Sequence, residues 1–169
     1  MTVYLIDGYN LLFKNPHVEG TLHEQRTQFI HDLKTVARFL HLSLIIVFDA
    51  HQTKEELKRY QSSGIEIVFT EKSKTADDYI IRYIDLLSPA QKEQLIVVSS
   101  DNYVQRAARV EGVKTLTVEQ FVHMLARQFR TQKKRRKQNT SMKETSCSSL
   151  SVEAWLALFE DSTRKESKR

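Results

Sequence analysis

Four stretches of the chain are apolar without interruption. Val3 to Ile6 runs into Asp7-Gly8, Ser43 to Phe48 into Asp49, and Gln94 to Val98 into Ser99-Ser100-Asp101, while Ile65 to Phe69 is opened by Gly64. Continuous rather than alternating runs suit strands covered on both faces, as in a parallel sheet. Asp7-Gly8 predicts a turn after the first strand. Between the runs the period changes to three and four. Leu22, Phe29, Ile30, Leu33, Val36, Ala37 and Leu40 form one stripe on a helix over residues 21–41, and Arg26 interrupts that stripe. Thr75 is placed to cap a helix over residues 76–87 with Ile80, Ile81, Ile84 and Leu87 inward. A third helix follows Asp101 as far as Val110, and Thr117 caps a fourth, with Phe121, Val122, Leu125 and Phe129 inward. Strands alternating with helices predict a three-layer α/β fold with a mainly parallel sheet.

The 169 residues, 40% of them hydrophobic, suffice for one core. Where the charge lies matters more than its sum of +5. Residues 1–129 hold 15 Lys and Arg against 16 Asp and Glu, and residues 138–169 hold five of each sign. The excess is therefore Arg130, Lys133, Lys134, Arg135, Arg136 and Lys137, a basic strap over residues 130–137 that continues the last core helix. The predicted organisation is a folded domain over residues 1–129, the strap, a polar linker over 138–150, and a short amphipathic helix with a charged tail over 151–169. In that last segment Val152, Trp155, Leu156 and Phe159 share one side. So short a helix is marginal alone in water, so it is expected to dock, on this core or on a partner. No apolar run approaches the ~18 residues of a membrane span, so no membrane partner is expected. The N-terminus lacks the basic region of a signal peptide. Cys147, the single cysteine, excludes an internal disulfide and a cysteine-rich zinc site and fits a reducing cytoplasm.

The chemistry is expected where the strands end. Asp7, Asp49 and Asp101 each close an apolar run, and ligands of open α/β sheets bind outside the carboxyl ends of the strands. Asp77 and Asp78, opening a helix that follows a strand, join the same edge. Neither G-x-G-x-x-G nor G-x-x-x-x-G-K-[ST] competes for it. Gathered carboxylates repel and raise one another's pKa, which a cation relieves, and an oxygen-only donor set favours Mg²⁺ or Mn²⁺ over zinc. Such a site suits phosphodiester hydrolysis. Each aspartate alone could equally be a turn former or a helix cap. Asn10 is spaced to hold an acid in place, Tyr9 to stack a base or pack beneath the site, and Arg26 to meet a carboxylate or a substrate phosphate. The strap is expected to give sequence-independent affinity for RNA.

Ile6-Asp7-Gly8-Tyr9-Asn10, Val47-Phe48-Asp49-Ala50, Phe69-Thr70, Thr75-Ala76-Asp77-Asp78 and Ser99-Ser100-Asp101, in this order, resemble the YacP-like branch of the NYN domain family, within the PIN-like nuclease superfamily. The resemblance implies a three-layer α/β/α PIN-like fold and a Mg²⁺- or Mn²⁺-dependent endoribonuclease. It implies Asp7, Asp77 and Asp101 as metal-binding acids, Asp49 as a further acid and Asn10 as the motif asparagine. Asp78 stands where the family pattern carries Glu; it keeps a carboxylate that could also reach the metal. The resemblance further implies mRNA as substrate, with the ribosome as a partner. A catalytically inactive RNA- or ribosome-binding adaptor is the alternative. A phosphatase of the D-x-D-x-T type does not fit, because Tyr9 stands where its second Asp belongs. The oligomeric state is left open.

Overall fold

The computed structural model describes residues 1–14, 20–49, 58–62, 64–139, 153–154 and 156–157. The expected linker from residue 140 onward, and Val152, Trp155 and Phe159 of the expected tail helix, lie outside the described residues. Six strands and six helices are described: β1 (Val3–Asp7), α1 (Gly8–Phe13), α2 (Leu22–Leu40), β2 (Ser43–Phe48), β3 (Lys58–Ser62), β4 (Ile65–Phe69), α3 (Ala76–Asp85), α4 (Pro89–Glu93), β5 (Leu95–Val98), α5 (Asn102–Val110), β6 (Lys114–Leu116) and α6 (Val118–Asn139). The strands form one sheet in the order β3-β4-β2-β1-β5-β6. Only the β3–β4 pairing is antiparallel.

The chain steps outward from β1 through β2 to β4, then returns across the sheet to place β5 on the other side of β1. The reversal leaves a crevice at the carboxyl ends of β1 and β5, where open α/β sheets bind their ligands. Strand period divides the core into two layers. Tyr4, Ile6, Ile46, Phe48, Ile67 and Phe69 pack under α1, α2 and α6, whereas Leu5, Ile45, Val47, Val68 and Val97 pack under α3 and α5. Both faces are covered, so the strands read as unbroken apolar runs.

The helix boundaries follow local chemistry. Thr21 and Glu24 form a reciprocal capping box at the start of α2, and His41, at φ 55°, closes its end by donating its N–H to the Ala37 carbonyl. The chain does not turn at Asp7-Gly8 as expected. Instead α1 begins at once, because the Asp7 side chain accepts the Asn10 N–H and serves as its cap. A Cβ on Gly8 would lie 2.6 Å from the buried Phe48 ring, so only glycine allows so abrupt an entry. Leu156 of the tail segment is buried within the α2/α6 layer and Glu153 pairs with Lys133. The tail thus docks on its own core. A buried leucine contributes about 1.5–3 kcal/mol, enough to hold a segment too short to be helical alone. Among the described residues no helix is long and apolar enough to cross a membrane.

Candidate active site

The end of β1 is tied to the end of β5. Asp7, 9% exposed, accepts the Asn10 N–H on Oδ1 at 3.0 Å. The Asn10 side-chain amide donates to Ser99 Oγ at 3.4 Å, and the same oxygen accepts the Asp101 N–H at 3.1 Å. Ser99 is fully buried, and its carbonyl accepts the Gln105 side-chain amide at 2.8 Å. This bridging role of Ser99 depends on two strand ends, far apart in the chain, becoming neighbours.

Asp101 caps α5, its Oδ1 accepting the N–H groups of Tyr103 at 2.6 Å and Val104 at 3.2 Å. Asp7 and Asp101 are therefore both helix caps and members of the acidic edge. Asp77, in the first turn of α3, has no such bond among those described and is half-buried. Its carboxyl is pushed up to about 6, first by burial and then by the charges of Asp7, Asp101, Asp78 and Asp49. Burial also pushes Asp7 up, against the pull of the Asn10 amides and the Tyr9 N–H, with Asp101 adding to the push. Asp7, Asp49 and Asp77 line one pocket of about 450 Å³ together with Tyr9, Asn10, Phe13 and Lys14.

Asp78 does not join them. It forms a capping box with Thr75, accepting the Thr75 N–H at 3.3 Å while Thr75 Oγ1 accepts its own at 3.1 Å, and it lines a separate pocket with Lys74, Tyr79 and Arg82. The Thr75-x-x-Asp78 spacing already carried this signal, since the box needs an acceptor three residues past the cap. The expectation that Asp78 reaches the metal is corrected accordingly. Among the described residues no three Asp, Glu, His or Cys side chains stand close enough to hold one ion.

Arg26 is buried, at 4% exposure, and meets neither a carboxylate among its described partners nor open solvent. Its guanidinium donates to the Tyr9 hydroxyl at 3.1 Å, lies 3.1 Å from His23 Nδ1 and covers the Phe69 ring at 4.9 Å. So placed, it cannot present itself to a phosphate, and the expected contact is corrected to an internal one. Tyr9, 6% exposed, packs beneath the site rather than stacking a base.

The strap lies elsewhere. The Val118 N–H donates to Ser100 Oγ at 3.2 Å, so α6 starts at the acidic edge. Further along, Phe121 packs on Tyr4 and Phe129 on Phe39, near the end of α2. At about 1.5 Å per residue, Lys133 stands roughly 21 Å along the helix from Glu119. Arg130, Lys134 and Arg135 are exposed, and the partly exposed Lys133 is paired with Glu153. The side chains of Arg136 and Lys137 lie outside the described residues.

Comparison with known proteins agrees with this architecture. The profile of the YacP-like NYN domain matches residues 4–161. The chain is 27% identical over 164 residues to the protein named "Uncharacterized protein YacP" of Bacillus subtilis (strain 168), with 95% of each chain covered. It superimposes on the crystal structure of Rae1 (YacP) from Bacillus subtilis with a TM-score of 0.63 at 24% identity, covering 99% of this chain and 94% of that one. A tryptophan-to-leucine mutant of that protein gives the same TM-score over 89% of both chains. At this identity the structural likeness speaks for the fold.

Proposed function

The chain belongs to the YacP-like NYN domain family, and from that premise we propose that it is a Mg²⁺- or Mn²⁺-dependent endoribonuclease of the cytoplasm. Its substrate would be mRNA, met during translation. The observation that carries the reading is the convergence of Asp7, Asp49 and Asp77 on one pocket at the carboxyl ends of β1 and β2, with Asp77 pushed up to about 6. The donor set fits a hard divalent cation. It consists of carboxylate oxygens, and their mutual repulsion is what such an ion relieves. Mg²⁺ commonly takes only one or two protein carboxylates and keeps its waters, so a cage of three is not required. One or two of Asp7, Asp77 and Asp101 would hold it directly and the remaining acid through its waters, and when bound it would supply an acidified water and charge stabilisation at the phosphate.

The residues themselves do the positioning. The Asn10 backbone amide holds Asp7, and its side-chain amide reaches Ser99 at the other strand end. The Asp101 carboxylate is oriented by two backbone amides of α5. Asp77 is the acid whose removal disturbs no described cap. Asp77→Asn should therefore lower cleavage of single-stranded RNA at least about 100-fold, with RNA affinity retained. Wild-type cleavage should require Mg²⁺ or Mn²⁺ and stop in EDTA. Cleavage by Asp77→Asn at the wild-type rate would refute the assignment, and binding without turnover by the wild type would establish the inactive adaptor instead.

A further inference from the structure

We propose that Phe13 is a stacking platform for an unpaired base of the substrate RNA, at the rim of the acidic pocket. This rests on the nuclease reading for the identity of the strand. Phe13 is 59% exposed, an unusual state for a phenylalanine, and it lines the pocket that holds Asp7, Asp49 and Asp77. Scattered exposed apolar residues need no explanation. An exposed aromatic ring built into a polar, charged pocket does.

The ring is also held in place. It stacks on Tyr9 with centroids 5.5 Å apart and planes 17° apart. Tyr9 and Phe48 meet edge to face at 5.1 Å, and Phe48 stacks on Phe69 at 5.6 Å. The buried Arg26 closes this assembly, lying over Phe69 and bonding the Tyr9 hydroxyl. Tyr9 is thereby fixed by two ring contacts and its oxygen, and Phe13 rests on a rigid floor. A pre-oriented ring loses little freedom when a base settles on it.

Charge explains why such a platform is useful here. The pocket carries three carboxylates and one lysine, Lys14, which is itself paired with Glu119 at 3.1 Å. A polyanion gains little Coulomb energy on these walls, and the exposed strap cations are more than about 15 Å along α6. Stacking supplies affinity that does not depend on charge, about 1–3 kcal/mol per base. It also selects for single strands, since a paired base offers no free face.

The test measures affinity in EDTA, where no cleavage interferes. Phe13→Ala should weaken binding of a short single-stranded RNA by about 5–150-fold, equally at low and high salt, with an unchanged melting temperature. Phe13→Trp should restore binding, and Phe13→Leu, apolar but without a π face, should not. With an abasic site moved along the RNA, one position should cost the wild type the same factor and cost Phe13→Ala nothing more. Wild-type affinity in Phe13→Ala, equal rescue by Leu and Trp, or additive losses at every abasic position would each overturn the proposal. The catalytic reading is judged separately. If the Phe13 pattern appears while Asp77→Asn still cuts RNA, the platform stands and the nuclease assignment falls.

Discussion

The two edges of the sheet carry opposite charge and differ in how that charge is held. At the carboxyl edge, Asp7 and Asp101 are locked by backbone amides while Asp77 is left to feel its neighbours. At the other end of α6, the basic side chains project from a helix that has run past its packing on Phe39, and one of them, Lys133, ties down the tail through Glu153. One edge is built for positional accuracy, the other for reach. The net charge of the chain thus says nothing about the field at its reactive edge. A strand that touches both edges has to extend more than about 15 Å along the molecule.

This separation should appear first as a double dissociation. Asp77→Asn should reduce turnover at least about 100-fold and leave the salt dependence of RNA affinity unchanged. Replacing Arg130, Lys134 and Arg135 with Gln should do the reverse. Log affinity falls against log salt by about 0.7 per phosphate neutralised on a single strand, so removing three such cations should flatten the slope by about 2. Turnover of a saturating short RNA should persist. Turnover that collapses in the strap variant would mean the two edges act as one site.

Within the carboxyl edge, capping and non-capping acids should differ in sign. Asp101→Ala removes a cap and should cost about 0.5–2 kcal/mol of stability. Asp77→Asn in EDTA should instead raise stability at pH 7. The Asp77 carboxyl titrates at about 6 in the fold against an ordinary 3.8, so the folded state binds this proton more tightly. Stability therefore falls as pH rises from about 4 through about 6, and an asparagine escapes that loss. Screening at a half-exposed carboxyl and its favourable place at a helix N-terminus reduce the gain to about 1 kcal/mol. Thermal melts across pH should show the gap closing below pH ~4. A gap of the same size at pH ~3 would assign it to something other than ionisation.

The smallest effect belongs to the tail. Lys133→Gln removes a partly exposed ion pair and should loosen docking by about 0.2–1 kcal/mol, seen as faster amide exchange in residues 153–157. No change there would mean that Leu156 alone holds the segment.

Much of this was written in the order of residues, and the reason is local. β1, β2, β4 and β5 read as strands because both their faces are buried, which leaves only apolar side chains to choose from. The stripes of α2, α3 and α6 are equally direct, and Asp7, Asp49 and Asp101 announce themselves by ending such runs. Edges escape this logic. β3 is Lys-Arg-Tyr-Gln-Ser and pairs on one side only, β6 has three residues, and α4 buries none of its side chains, so no apolar pattern marks them. At the site, Asp78 looked like Asp77 in sequence, yet adjacent residues on a helix point about 100° apart, and the Thr75 box takes one of them away. Arg26 looked like a phosphate ligand because a charge on an apolar stripe needs a partner. Which partner it finds is settled by Tyr9 and Phe69, brought from 17 residues before it and 43 after it. Periodicity and capping act within a few residues and can be read from one chain. Pairing across the crevice between β1 and β5 is a property of packing, and only the folded chain decides it.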